Sequence, residues 1–173
     1  LGSFSAAGPV REENQDRVYA GQADAAEVLV LADGLGGLPR GGEAAEAAAH
    51  HAFNRLKREL PPVLVAAAEG VRALLLSTAW SAAACLAREA GARGWTGLDA
   101  GFRTTLVLVV ALPDAYVATW IGDGGAFVLR AGGEIVALVE PHKDPAVPNL
   151  LDASLGPVTD GRPSWAIAPR EAG

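Results

Sequence analysis

The chain has 173 residues, of which 50% are hydrophobic and 20% are charged, so it can bury one sizeable core and lacks the composition of a disordered segment. Its 14 basic and 20 acidic residues give a formal net charge of −6, which is the wrong sign for affinity based on neutralising nucleic-acid phosphates. We therefore expect a single domain over residues 1–173 and no nucleic-acid partner.

The single cysteine and the most apolar segment bear on the cellular environment. Cys85 is the only cysteine and has no intrachain disulfide partner, which favours a cytoplasmic location. It lies in an alanine-rich stretch, which favours a small helix residue over a reactive thiol. The apolar run at residues 73–87 is shorter than the roughly 20 residues that span a bilayer. We expect it to form a buried helix, with no membrane span. Residues 1–5 lack the pattern of a secretion signal.

Periodicity and turn residues predict strands, then two helices, then more strands. In chain order, the predicted elements are strands at residues 17–20 and 27–32, helices at 43–60 and about 63–90, and strands at 104–111, 116–121, 126–130, 134–139 and 164–168. Pro61-Pro62 and Gly91 are expected to end the two helices, and Gly70 is where the second would be interrupted. This order indicates an α+β domain rather than a βαβ alternation.

The turns between the strands predict which strands are neighbours. Gly21-Gln22-Ala23-Asp24 separates the first two strands, and we expect a hairpin there. The apolar run at residues 28–31 is expected to be buried on both faces. The four strands between residues 104 and 139 are separated by turn sequences, one of which is Gly122-Asp123-Gly124-Gly125. Short turns of this kind predict one meander of antiparallel strands.

Asp33 follows a strand and precedes Gly34-Leu35-Gly36-Gly37, so a carboxylate stands at a strand end beside backbone with few side chains. Carboxylate and carbonyl oxygens are the ligands that Mg²⁺ and Mn²⁺ prefer, and glycines let a cation or a phosphate approach the backbone. The alternative is a turn in which Asp33 bonds only to local N–H groups. Taken alone, this segment leaves both interpretations open.

Two further acidic positions carry weaker signals of the same kind. Asp123 also follows an apolar strand, but Gly-Asp-Gly is equally the sequence of an ordinary hairpin turn. Asp16 stands directly before the first strand and follows Arg11 in the same segment. The planar guanidinium of Arg11 can bind a phosphate through two parallel hydrogen bonds. A surface ion pair of Arg11 with Glu12 or Glu13 is the competing interpretation.

These segments occur together in one order, and that combination is more specific than any one of them. They are Arg11-Glu12-Glu13-Asn14-Gln15-Asp16, Val30-Leu31-Ala32-Asp33-Gly34-Leu35-Gly36-Gly37 with Gly41 and Glu43-Ala44-Ala45, Thr104-Thr105, Trp120-Ile121-Gly122-Asp123 with Phe127-Val128-Leu129-Arg130, and residues 138–142. In these segments, which extend over almost the whole chain, the sequence resembles the metal-dependent protein serine/threonine phosphatases of the PPM, or type 2C, family, in its bacterial form.

The resemblance implies a fold and a set of residue roles. The fold would be a four-layer α-β-β-α sandwich of two antiparallel sheets flanked by helices, with a metal centre at one edge. Asp33 would bridge two Mg²⁺ or Mn²⁺ ions, and the Gly34 carbonyl would bind one of them. Asp16 would hold metal-bound water, and Arg11 would orient the substrate phosphate. Asp123 would lie near a third, more weakly held ion.

The implied reaction is hydrolysis of phosphoserine or phosphothreonine by a metal-bridging hydroxide, without a phosphoenzyme. Two magnesium or manganese ions would lower the pKa of the bridging water and offset charge on the phosphoryl group. The implied partners are phosphorylated serine/threonine proteins, and in bacteria such an enzyme commonly opposes a serine/threonine kinase. No nucleophilic serine or cysteine is required.

Three positions depart from the family pattern. Leu35 stands where some members have a histidine that protonates the leaving oxygen, so a metal-bound water is the expected proton source. Gln15 replaces a glutamate with a neutral hydrogen-bonding group, as in many bacterial members. His142 lies in Glu140-Pro141-His142-Lys143, and we expect it to stabilise a turn rather than to take part in the chemistry.

The C-terminal part of the pattern is the larger departure. The family continues with a strand ending in Ser-Asp-Gly and, later, an Asp-Asn pair, which supply metal-binding carboxylates, whereas this sequence ends at Gly173. Asp144, Asp152 and Asp160 fall where the family has a variable flap and are not expected to replace them. We therefore expect a domain truncated at its C-terminus and weak or absent activity. The alternative to an enzyme is a catalytically impaired phosphatase-like module that regulates or binds phosphoproteins.

Overall fold

The computed structural model describes residues 1–7, 9, 13–63, 67–95, 101–143 and 151–171, with only the backbone of residues 62 and 63. Arg11 and Asp144 lie outside the described residues. The elements in chain order are strands β1 (Asp16–Ala23) and β2 (Ala26–Asp33), helices α1 (Gly41–Val63) and α2 (Ala67–Ala92), and strands β3 (Leu106–Ala111), β4 (Ala115–Ile121), β5 (Phe127–Leu129), β6 (Ile135–Ala137) and β7 (Ser164–Pro169). The α+β order predicted from the sequence is confirmed.

Strands β1 and β2 form the predicted hairpin. Asp24 in the turn has a φ of 54°, a left-handed conformation that tight turns require and that Asp tolerates. Successive side chains of β2 point to opposite faces. Val28 and Val30 are buried against the helices, whereas Leu29 and Leu31 are only partly buried on the other face. The prediction that this run is buried on both faces is therefore correct for one face only.

Helix α1 extends past the point where its two prolines were expected to end it. It begins at Gly41 and continues through Pro61 and Pro62 to Val63. Proline has a φ compatible with a helix, although it lacks the N–H group and its ring crowds the carbonyl four residues earlier. The helix therefore includes both prolines, and its range extends to Val63.

Helix α2 is continuous at Gly70 and includes Gly91. The Trp95 N–H donates to the Ala90 carbonyl at 2.8 Å, and the Gly94 N–H donates to the Gly91 carbonyl at 3.2 Å. Gly94 has a φ of 69°, and this pair of bonds around a left-handed glycine is the Schellman motif. The predicted stop at Gly91 was wrong, because the residue that leaves the helical conformation is Gly94.

Five strands form the larger sheet in the order β1-β2-β3-β4-β7, with each neighbouring pair antiparallel. Strands β5 and β6 form a second antiparallel sheet. The predicted single meander was therefore wrong at residues 122–125, which lead from one sheet to the other. Gly122 has a φ of 104°, and a Cβ there would lie 2.5 Å from Cγ2 of Thr105. The backbone crosses Thr105 at this point and leaves the larger sheet.

Two apolar clusters on opposite faces of the larger sheet define the layers. The larger cluster joins α1 and α2 to one face and includes Phe102, Leu56 and Leu108. The smaller cluster, which includes Trp120 and Leu138, joins the other face to the second sheet. The two antiparallel sheets of the predicted sandwich are confirmed. Within the described residues, both long helices lie on the same side, which gives a helix layer and two sheet layers.

Helix α2 is long and apolar enough to cross a membrane by length and composition alone, but 50% of its most apolar window is buried inside the protein. Its buried residues include Leu75, Ala79 and Leu86, which belong to the cluster between the helices and the larger sheet. This burial is typical of a core helix and agrees with the buried helix predicted at residues 73–87.

Candidate functional site

Asp16 and Asp33 stand opposite each other at the open end of the β1–β2 hairpin, as the first residue of β1 and the last residue of β2. Directly opposed residues in an antiparallel pair project to one face, with Cβ atoms about 4.5–5.5 Å apart. Both residues line one polar cavity of about 210 Å³. Like charges directly opposed on a sheet repel, and a cation between them would turn that repulsion into attraction.

Gly34 follows Asp33 at a position that accepts only glycine. A Cβ there would lie 2.2 Å from the carbonyl carbon of Gly41 and 2.4 Å from its oxygen. The Gly34 N–H donates to the Gln15 carbonyl at 3.2 Å. In the part of the chain that the structure describes, no group donates a hydrogen bond to the Gly34 carbonyl oxygen. That oxygen can therefore serve as a ligand.

Two buried threonines fix the backbone of Asp33. The Thr105 N–H donates to the Asp33 carbonyl at 2.8 Å, and Thr104 Oγ1 donates to the same oxygen at 2.9 Å. In return, the Asp33 N–H donates to Thr105 Oγ1 at 3.1 Å. Thr104 and Thr105 are almost completely buried, so these hydrogen bonds are shielded from competing water. They hold Asp33 in a fixed position at the cavity edge.

Gln15, which helps to line the same cavity, carries an unsatisfied buried oxygen that faces Gly41. Its Oε1 is buried and accepts no hydrogen bond from the described residues, whereas its Nε2 donates to the Leu38 carbonyl at 3.4 Å. An unsatisfied buried acceptor costs about 1–3 kcal/mol. A donor such as a water molecule in the hydration shell of a cation would satisfy this oxygen.

Asp123 borders a second cavity, of about 660 Å³, to which Asp33 and Gly34 also contribute. Its carboxylate lies 3.4 Å from the Lys143 ammonium, and both side chains are partly exposed, so the ion pair contributes little stability. The hairpin-turn interpretation of this segment was wrong, because residues 122–125 connect the two sheets. Asp33 thus lines one cavity together with Asp16 and a second cavity together with Asp123.

His142 connects three parts of the fold. Its Nδ1 accepts a hydrogen bond from the Gly122 N–H at 3.3 Å, and its Nε2 lies 2.8 Å from Oγ of Ser164 at the start of β7. Burial lowers the pKa of His142, while the charge of Asp152 has a smaller opposing effect. A ring that accepts at Nδ1 is neutral and carries its proton on Nε2. His142 therefore has a structural role, as the sequence predicts.

Three residues at the second cavity were missed in the sequence. Arg103 has a side chain that is only 8% exposed, and its Nη2 atom lies 2.6 Å from Oδ2 of Asp160. The Nε and Nη2 groups also donate to Oγ of Ser154, at 3.1 and 2.5 Å. The sequence signal that could have identified Arg103 was its position as a cation between Phe102 and Thr104, where an apolar strand begins. Asp160 was assigned to a variable flap, yet it lines the same cavity as Asp33.

The described ranges contain no group of three or more His, Cys, Asp and Glu residues close enough to hold a metal ion. The candidate ligand set in these ranges therefore centres on the opposed pair Asp16 and Asp33 with the Gly34 carbonyl, in a cavity that Glu13 also lines. Asp123 lies further along the second cavity. Arg11, the expected phosphate ligand, is outside the described residues.

Residues 10–151 match the family model described as protein phosphatase 2C. The match covers most of the chain, and the chain therefore belongs to the protein phosphatase 2C family, whose members are protein phosphatase enzymes. A search of curated protein sequences finds no match.

Several solved structures share this fold. The Mycobacterium tuberculosis serine/threonine phosphatase PstP/Ppp is 22% identical with a TM-score of 0.78, and the alignment covers 98% of this chain and 72% of that one. The serine/threonine phosphatase Stp1 from Staphylococcus aureus is 19% identical with a TM-score of 0.76, over 96% of this chain and 69% of that one. The S. agalactiae serine/threonine phosphatase is 21% identical with a TM-score of 0.74, over 98% and 74%. At these identities, the likeness concerns the fold alone.

Proposed function

We propose that this chain is a Mg²⁺- or Mn²⁺-dependent phosphatase that hydrolyses phosphoserine and phosphothreonine in proteins. The observation that carries the proposal is the pair of opposed carboxylates, Asp16 and Asp33, at the end of one hairpin. A hard divalent cation takes oxygen ligands of this kind. Membership of the protein phosphatase 2C family supplies the reaction class.

The residues present fit such a cation. Asp33 has its backbone fixed by Thr104 and Thr105, so the backbone position from which its carboxylate projects is held in place. The Gly34 carbonyl would be a second direct ligand, and Asp16 on the opposing strand would accept hydrogen bonds from water bound to the cation. Gln15 Oε1, which lacks a donor among the described residues, would accept a further hydrogen bond from that water. Two divalent cations at such a site lower the pKa of bound water and offset charge on a phosphoryl group.

The remaining roles concern the substrate and a third cation. We assign Arg11 to orientation of the phosphate, because a guanidinium matches two phosphate oxygens at once. Asp123 is assigned to a weaker additional cation at the second cavity, where the Lys143 ammonium now lies 3.4 Å from its carboxylate. A cation at Asp123 would have to displace that ammonium, which agrees with weak binding.

The second candidate function is a phosphatase-like module that binds phosphorylated proteins without hydrolysing them. The observation that favours it is the small ligand set, since the described residues contain no group of three or more metal-binding side chains. A divalent cation held by few carboxylates keeps most of its water and binds weakly. This candidate predicts phosphopeptide binding without turnover.

The test combines turnover with metal binding measured independently. Hydrolysis of p-nitrophenyl phosphate and of a phosphothreonine peptide is followed with and without Mn²⁺, and Mn²⁺ affinity is measured by calorimetry. We expect Asp33→Asn to lower kcat/KM by at least about 100-fold, because metal ions supply several kcal/mol of charge stabilisation, and to weaken Mn²⁺ binding. The matched control is Asp24→Asn at the opposite end of the same hairpin, where Asn tolerates the left-handed φ.

The outcomes separate the two candidates. Mn²⁺-dependent turnover that Asp33→Asn removes and Asp24→Asn retains supports the enzyme. Phosphopeptide binding without turnover at any Mn²⁺ concentration supports the binding module. Turnover that is unaffected by either substitution would show that the Asp16–Asp33 pair is not the metal site.

A further inference from the structure

The buried guanidinium of Arg103 forms hydrogen bonds with side chains of a single loop segment. The guanidinium bonds to Ser154 and Asp160, and both residues lie in the segment at residues 151–161, which follows β6 and precedes β7. Burying a guanidinium is costly unless its donors are satisfied. Its fork of donors to Ser154 and Asp160 meets that requirement and fixes the direction of both side chains.

The backbone of Arg103 contacts the opposite wall of the second cavity. Its carbonyl accepts a hydrogen bond from the Leu35 N–H at 3.0 Å, within the glycine-rich loop that follows Asp33. The next residue, Thr104, bonds to the Asp33 carbonyl through its hydroxyl. The dipeptide Arg103-Thr104 therefore joins the loop of the proposed metal site to the 151–161 segment.

The 151–161 segment forms a small hairpin against Arg103. Ser154 and Asp160 exchange two backbone hydrogen bonds, of 3.2 and 3.1 Å, and Leu155 exchanges two with Thr104, of 2.8 and 2.9 Å. A Cβ on Gly156 would lie 3.0 Å from Cγ of Arg103, so the hairpin lies directly on the arginine stem. The Thr104 bonds hold the incoming arm at Leu155, whereas Arg103 is the side chain that holds the outgoing arm at Asp160.

This hairpin forms one wall of the cavity that Asp33 and Asp123 border. Ser154 and Asp160 line the cavity together with Arg103 itself. Asp160 is 57% exposed while its partner Arg103 is 8% exposed, so the carboxylate stands at the surface of the wall. Asp160 therefore contributes to the boundary of the cavity and to the negative charge that an approaching substrate would meet.

We propose that Arg103 is a positioning residue, which holds the 151–161 hairpin as the substrate-facing wall of the active site. This inference rests on the proposed phosphatase function. The wall contacts the peptide around the phosphorylated residue rather than the phosphoryl group. Loss of the Arg103–Asp160 pair therefore raises KM for a phosphopeptide and leaves kcat nearly unchanged, because the lost contacts stabilise the bound substrate and the transition state equally.

The test uses two kinds of measurement on the full chain. Asp160→Asn removes the charge and keeps the shape, Arg103→Gln removes the cation, and Arg103→Lys restores the charge with one donor group in place of the fork. The control is Arg130→Gln, which breaks a surface pair with Glu134 on the second sheet. Hydrogen–deuterium exchange of residues 151–161 reports on the tether. KM and kcat for a phosphothreonine peptide and for p-nitrophenyl phosphate report on the substrate wall.

We expect Asp160→Asn to speed exchange across the 151–161 hairpin and to raise peptide KM roughly tenfold, the change that corresponds to about 1.4 kcal/mol. KM for p-nitrophenyl phosphate, which has no peptide, should change less than twofold. Arg103→Lys should recover part of the peptide KM that Arg103→Gln loses, and Arg130→Gln should change neither quantity.

Three results would overturn the proposal. Exchange that is unchanged in Asp160→Asn would show that the pair does not hold the hairpin. Faster exchange with an unchanged peptide KM would show that the hairpin is not a substrate wall. If the chain has no turnover, the affinity for the phosphothreonine peptide measured by calorimetry takes the place of KM, and an affinity that Asp160→Asn leaves unchanged would overturn the substrate role independently of the proposed hydrolysis. If Arg103→Gln does not fold, Asp160→Asn alone decides between these outcomes.

Discussion

Replacing Gly34 with alanine would place a methyl carbon 2.2 Å from the Gly41 carbonyl carbon and 2.4 Å from its oxygen, where ordinary contact requires at least 3.4 Å. Both atoms belong to backbone at the start of α1, so no side chain can rotate away. The loop after Asp33 must therefore shift by about 1 Å. An overlap of this size costs about 1–3 kcal/mol of folding free energy, and a displacement of about 1 Å at reacting groups costs up to about 100-fold in rate.

Gly37→Ala is the matched control for this substitution. Gly37 lies in the same loop at φ 84°, with no atom within 4 Å of its Cβ position, so alanine there costs about 1–2 kcal/mol of backbone strain without a steric overlap. Urea denaturation gives the stability of each variant, calorimetry gives Mn²⁺ affinity, and p-nitrophenyl phosphate gives kcat/KM. We expect comparable stabilities but a loss of Mn²⁺ binding and turnover in Gly34→Ala alone. Equal metal affinity in the two variants would refute the assignment of the Gly34 carbonyl as a ligand.

Two further predictions concern the frame of the site and its pH dependence. Thr105→Val removes the acceptor of the Asp33 N–H and should lower stability by about 1–3 kcal/mol, measured by urea denaturation, whereas Thr105→Ser should retain most of it; equal stability of the valine variant would contradict this role. Burial lowers the pKa of both His51 and His142 from 6.5, so the unfolded chain binds more protons than the folded chain below about pH 6.5. The contribution of these histidines is fully present above pH 6.5 and is lost as the pH falls through their folded pKa values. Urea midpoints at pH 7.5 and 5.5 check this, and a rise in stability on acidification would contradict it.

The elements that the sequence predicts well are those with local causes. The β1–β2 hairpin follows from alternating apolar residues on either side of a turn, and α1 follows from a run of helix formers. The meander failed at residues 122–125 because the path there depends on Gly122 crossing Thr105, a contact between residues in different elements. The sequence does not show that Gly94 rather than Gly91 is the left-handed glycine that follows α2, because both glycines lie near the end of the helix.

The residues of the candidate site also differ in whether a local sequence signal identifies them. Asp33 and Gly34 are recognisable because carboxylate and glycine occur side by side after a strand, and Asp16 because the hairpin register is determined by a short turn. The Arg103–Asp160 pair has no such signal, since the two residues are 57 positions apart and meet only through the hairpin at residues 151–161. The resemblance to the phosphatase family also implied that Asp160 lies in a variable flap, so its contact with the buried guanidinium of Arg103 was not expected.

Strand β2, which ends at Asp33, has paired neighbours on both sides, β1 and β3. Its last residue is therefore paired with Asp16 on one side and hydrogen-bonded to Thr105 on the other. The cavity walls at residues 34–38 and 151–161 lie outside strands β1 to β7, and the second wall combines buried residues at Ala153, Ser154 and Leu155 with the exposed Asp160. In the proposed phosphatase, substitutions at exposed wall positions would alter which phosphoprotein is accepted while the carboxylate on β2 keeps its place. The architecture would then separate the carboxylate that the chemistry requires from the surface that recognition requires.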